Sequence, residues 1–312
     1  MPLVRDHEIV PSRVKLWQLA LAVVLLSGTL PAYLQWRRSF GKYHATQLLE
    51  CLPLDHAVKV YIDADRLRAA GFMDLVAGSH TAEEPDYRRF VEDTGFDYRN
   101  DLKAVAASFV HGDVFMAVHG RFDWKRLSDY ARGQHGTCDG TICSMPASRP
   151  NRSISYYLLR SNVLAVAVTG EERGVAKITK PNPKVRAYAP SAPVWISAPG
   201  EAFADLTGLP DGSHILSPLA EAQEVSFNVL EKEIRLDAAC SSPDIAARVA
   251  QKFTTTTNLL RSMLEHQKVA PSPSDLSGVL VAGKFEAQAS HAIGTWPMQK
   301  QFVEALFSGG SR

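Results

Sequence analysis

Two carboxylates, Asp63 and Asp65 in the stretch YIDADRL, stand where an apolar run gives way to a helix-forming one. A carboxylate held at such a junction can serve as a general base or bind a cation. The same position suits an N-cap, whose side-chain oxygen takes an orphan backbone N–H of the helix that follows, and capping accounts for Asp63 without any chemistry. Cys138 and Cys143, in GQHGTCDGTICSMP, are separated by four residues that include Asp139 and Gly140. That spacing turns tightly enough to bring two sulfurs together, so in an oxidising compartment the pair closes a small disulfide loop. The alternative is a metal site with His135 as third ligand, but no second Cys or His pair at ligand spacing lies nearby. No metal or other cofactor is therefore expected.

The ten histidines are scattered, with none at HxH or HExxH spacing. His111 and His119 belong to one hairpin but to opposite ends of a strand, and they read as a turn residue and a strand-end residue. There is no GxSxG, no GxxxxGK and no GxGxxG after a strand, which removes the common nucleophile, phosphate and dinucleotide signatures. Aromatic side chains offer a binding face instead: Phe122 and Trp124 at a helix start, Tyr156 and Tyr157 in one strand, and Trp296. Tyr156 and Tyr157 are consecutive and must point to opposite faces of their sheet.

The elements that carry these residues begin with an anchor. Leu16 to Trp36 reads LWQLALAVVLLSGTLPAYLQW, about 21 uncharged residues, enough at about 1.5 Å each to cross a hydrocarbon core of roughly 30 Å. Trp17 at one end and Tyr33 and Trp36 at the other suit the interface, and Arg37 and Arg38 can reach phosphates. The run is too long for a signal peptide and lacks a small-residue cleavage site, so a retained single-pass signal-anchor is expected. Arg5, Arg13 and Lys15 before it balance Arg37, Arg38 and Lys42 after it. Orientation then rests on the short preceding tail and the cysteine pair, and both favour an extracytoplasmic soluble region.

Past the anchor, Val58–Ile62 reads as a strand, followed by a helix from Asp63, a helix Pro85–Glu92, and a hairpin of AVAASFV and VFMAVHG around His111, Gly112 and Asp113. Asp123 caps a further helix. ISYYLL and VLAVAV make a second hairpin, and Thr169 with Glu172 forms a capping box for a helix to Ile178. The proline-rich residues 179–193 read as a linker. PVWIS then opens the same order again: a helix from Glu201, a hairpin of EVSFNV and EIRLDAAC, a helix after Ser242 with Ile245, Val249, Phe253 and Leu260 on one stripe, a hairpin of LSGVLVA with KFEAQAS, and a closing helix Pro297–Phe307. Cys240 falls in phase with Ile234, Leu236 and Ala238, as a buried free thiol would.

The expected organisation is thus a tail over 1–15, a transmembrane helix over 16–36, a juxtamembrane segment over 37–55, and two similar α+β units over 56–178 and 194–308. Each unit is an antiparallel sheet with helices on one face. The chain has 46% apolar and 21% charged residues, the mix of a folded protein. A net charge of +1 gives no general reason to expect nucleic acid. These features point to a membrane-anchored, non-catalytic binding or scaffold protein of the cell envelope. Its partners would be the bilayer, through residues 16–36, and a protein or other envelope component. Two further readings remain: a membrane-tethered hydrolase using carboxylates near Asp63 in an interdomain cleft, and an accessory subunit of a larger membrane complex.

Overall fold

A computed structural model describes residues 45–72, 85–181, 190–204, 213–272, 275–298 and 301. The expected anchor, with Trp17, Tyr33, Trp36, Arg37 and Arg38, lies outside them, as do residues 182–189 of the linker and residues 299–300 and 302–307 of the expected closing helix. No helix among the described residues is long and apolar enough to cross a membrane.

The described residues make an α+β fold built on one twelve-stranded antiparallel sheet. The strands are β1 (Val58–Asp63), β2 (Leu102–Val110), β3 (Asp113–Gly120), β4 (Thr137–Asp139), β5 (Ile142–Pro146), β6 (Ser153–Arg160), β7 (Val163–Thr169), β8 (Val194–Pro199), β9 (Glu224–Val229), β10 (Glu233–Ala239), β11 (Lys284–Gln288) and β12 (His291–Pro297). Their spatial order is β11-β12-β10-β9-β8-β1-β2-β3-β7-β6-β5-β4. Each half alone therefore reads first, second, third, fifth, fourth strand, once the β4–β5 hairpin, added at one end, is set aside. The halves meet where β1 pairs with β8, with Tyr61 opposite Trp195 and Val60 opposite Ile196. The sheets expected from the sequence are thus continuous across this seam.

Helices are α1 (Ala45–Leu49), α2 (Ala64–Ala69), α3 (Pro85–Thr94), α4 (Tyr98–Asp101), α5 (Trp124–Gly133), α6 (Pro243–His266) and α7 (Leu276–Val281). Caps set their starts. Asp63, Asp123 and Ser242 each accept a backbone N–H three residues on, from Arg66, Arg126 and Ile245. Three readings are corrected, the first being the helix expected from Glu201, which is a 3-10 turn over Gly200–Phe203. LSGVLVA forms α7, not a strand, because Asp275 accepts the Gly278 N–H and starts a helix there; KFEAQ pairs with HAIGTWP instead. The expected helix to Ile178 is a short 3-10 turn, Gly174–Lys177, because Thr169 Oγ1 both accepts the Glu171 N–H and donates to its carbonyl.

Directly opposed residues on antiparallel strands share a face, so the registers define a row running through ten strands. It reads Tyr156, Val166, Met116, Ala107, Val60, Ile196, Phe227, Leu236, Gly294 and Phe285. This is the apolar face. At one end α5 lays Leu127 and Ala131 on Tyr156, Leu164 and Cys143, and the Tyr156 hydroxyl donates to the Leu127 carbonyl at 2.7 Å. At the other end α6 packs Ala246, Val249 and Phe253 over Val225, Leu236, Ala238 and Trp296. Phe253 stacks on Phe285 at 5.0 Å, and Phe285 covers Gly294 so closely that a Cβ there would stand 2.9 Å from its ring. The buried stripe of α6 ends at Thr257, short of Leu260, which is half-buried.

The opposite face differs between halves. In the first, small residues such as Ala106, Ala117, Ala165 and Ala167 are sealed by Leu48, Leu49, Cys51 and Leu52 from one segment and Val175 and Ile178 from another. The two covering segments bond to each other, Thr179 N–H to the Cys51 carbonyl at 3.1 Å, and to the sheet, the Tyr157 hydroxyl to the Ile178 carbonyl at 2.7 Å. Helical segments therefore lie on both faces of the first half, where the sequence suggested one.

Candidate functional site

The sequence candidates are dispersed. Asp63 caps α2, accepting the Arg66 N–H at 2.9 Å, and Asp65 pairs with Arg68 at 2.6 Å. Cys138 and Cys143, opposed on β4 and β5, are joined in a disulfide, so neither sulfur is open to a metal beside His135. His111 takes a positive φ in the β2–β3 turn. His119 is buried on β3 with Asn162 at 3.2 Å, and burial holds its imidazole below the usual range. Trp124 and Tyr156 pack edge to face in the α5 core, at 6.1 Å between ring centres, whereas Trp296 is buried against Phe285 in the α6 core. Tyr157 reaches the opposite face. The aromatics are thus divided between two separate cores and the opposite face of the sheet, and share no surface.

What the structure does bring together is a set the sequence did not single out. In the second half the face turned away from α6 is polar, and it forms the floor of a hollow of about 620 Å³. The registers order that floor. One row carries Lys59, Ser197, Ser226 and Asp237; a second carries Trp195, Asn228 and Arg235; Glu224 and His291 stand at its edge. Leu49 and Leu54, from the segment that seals the first half, make one wall. The hollow therefore spans the seam, with β1 supplying Lys59 and β8, β9, β10 and β12 the rest of the floor.

Its charges are arranged in pairs. Lys59 Nζ donates to Glu224 Oε1 at 2.7 Å, and the Ser197 hydroxyl donates to the same carboxylate oxygen. His291 Nδ1 meets Asp237 Oδ1 at 2.6 Å. Arg235 is exposed and makes no ion pair with any described residue. The Asn228 side-chain oxygen is enclosed and has no hydrogen-bond partner among the described residues, a state that costs about 1–3 kcal/mol when nothing donates to it. Trp195 is only 3% exposed, so its indole supports the floor and offers no stacking surface. Across from it, burial first and then the Asp63 charge push the Tyr61 hydroxyl up to about 12. Among the described residues no three His, Cys, Asp or Glu side chains are grouped as a metal would need.

The sequence carried a usable signal for this floor. In EVSFNV and EIRLDAA every second residue is apolar and packs under α6, which leaves Glu224, Ser226, Asn228, Arg235 and Asp237 on one shared face. A polar face normally means solvent, and only the three-dimensional wall of Leu49 and Leu54 converts it into a hollow.

No protein-family model and no curated protein sequence matches the chain. Among solved structures, crystal form III of TP0453 is similar with a TM-score of 0.46 at 10% identity, over 84% of this chain and 98% of that one. Crystal form I of the same protein gives 0.44 at 11% identity, over 86% and 100%.

Proposed function

We propose that the chain is a membrane-anchored, non-catalytic binding protein of the cell envelope, and that the hollow at the seam is where it takes its ligand. In this reading residues 16–36 span the bilayer and the soluble region that follows them lies on the extracytoplasmic side. The sheet would have arisen from two similar α+β units joined edge to edge through β1 and β8. The repeated strand order and the placement of α5 and α6 on one face support that origin, since a two-fold axis normal to the sheet between β1 and β8 would produce both. The Cys138–Cys143 disulfide supports an oxidising compartment.

The observation that carries the binding reading is the pairing within the hollow. Lys59 and Glu224 neutralise one another, Asp237 is hydrogen-bonded to His291, and both arrangements leave hydrogen-bonding capacity directed into an open space. A catalytic site holds a base or nucleophile against an orienting partner, with a place for the reacting atom between them. Here Ser197, the hydroxyl nearest a carboxylate, donates to Glu224, which is already committed to Lys59. The size falls in the range of about 300–1,000 Å³ typical of ligand sites.

The test compares the full-length chain with an Arg235→Ala/Asp237→Ala double variant in capture from detergent-solubilised membranes. A component retained by the parent and lost by the double variant supports the reading. Equal retention by both puts binding elsewhere on the molecule.

A further inference from the structure

We infer that the ligand of the hollow is a neutral, hydroxyl-rich molecule, a glycan segment of the envelope and not an anion or a peptide strand. This rests on the binding reading above and names the chemistry of its ligand. Three observations lead to it.

Formal charge on the floor cancels: Lys59 and Arg235 stand against Glu224 and Asp237, so neither an anion nor a cation gains from entering. A phosphate or carboxylate would find the one guanidinium of Arg235, with Asp237 two residues away on the same face of β10. Hydrogen-bonding capacity, by contrast, is abundant and of both kinds. The second carboxylate oxygens of Glu224 and Asp237 are left as acceptors, while Arg235 and the Ser226 hydroxyl can donate. A sugar hydroxyl both donates and accepts, and a run of them satisfies such a mixed array where a ligand of one polarity leaves groups unmet.

The third observation concerns the backbone. A peptide added as a strand needs an open sheet edge, and the hollow lies on the face of β1, β8, β9, β10 and β12, each paired on both sides. Only side chains can meet the ligand there. Leu54 along the wall, half-buried, offers an apolar surface against which the C–H face of a sugar ring packs.

The full-length chain, held in a detergent without a sugar headgroup, is applied to an array of neutral hexose and N-acetylhexosamine oligosaccharides alongside acidic glycans. Asp237→Ala and Arg235→Ala are run in parallel, with Arg132→Ala on the far face as control. Expected is binding to neutral oligosaccharides that changes little with salt, weakened about tenfold or more by either hollow substitution and untouched by the control. Binding confined to acidic glycans and lost at high salt overturns the neutral-ligand inference. So does neutral binding that survives both hollow substitutions, or no glycan binding at all. In the last case the capture experiment separates the two levels: a membrane component still lost from the double variant leaves the hollow as a site for another ligand, whereas equal retention removes the binding reading too.

Discussion

Replacing Trp195 by Ala asks whether the two halves are one mechanical unit. The indole is 3% exposed and sits on β8, opposite Tyr61 of β1 and Asn228 of β9, at the seam. Removing a buried Trp side chain costs about 3–5 kcal/mol, and because this one borders a hollow that water can enter, the lower end of about 3 kcal/mol applies. With a urea dependence of about 3 kcal/mol per molar, the unfolding midpoint falls by about 1 M. Hydrogen exchange followed by mass spectrometry at rising urea reads peptides of β3 and β12 separately. A sheet continuous through the seam predicts that both shift together by that amount. If β12 moves while β3, three strands from the substitution, keeps its midpoint, the halves unfold independently and the reasoning fails.

Other expectations are local. Asp63→Asn should keep stability within about 0.5 kcal/mol because the amide oxygen still caps α2, whereas Asp63→Ala should lose about 1 kcal/mol in urea denaturation. Burial pushes the Cys51 thiol up to about 11 and also raises Cys240, so neither should react with a thiol reagent at pH 8 until the protein unfolds. His119 has its pKa lowered from 6.5 by burial, so above that value both states are neutral and the residue has no pH effect; below it the unfolded chain takes the proton first and stability falls. Denaturation between pH 7 and pH 5 should show His119→Gln losing less stability on acidification than the parent, and equal losses would mean His119 is not the titrating group.

Much of this was legible in the chain because it is set by neighbours in sequence. The β2–β3, β6–β7 and β9–β10 hairpins follow from alternation flanking short turns, and Asp63, Asp123 and Ser242 cap as their positions demand. LSGVLVA misled because a short apolar run fits either helix or strand, and Asp275 decided between them. The seam left no local trace: nothing near Val60 announces a partner at Ile196. Cys51 and the leucines around it looked like connection after an anchor, yet they seal the first half and wall the hollow. The hollow's own residues read as an ordinary solvated strand face, since alternation tells inside from outside but not what stands over the outside.

The most direct test of the hollow as a binding site is photo-cross-linking in intact membranes, with a photoreactive residue placed at position 235 in the hollow or at position 132 on exposed α5. A discrete adduct from position 235, missing from position 132, is the expected result. The same adducts from both positions, or none from 235, would contradict it.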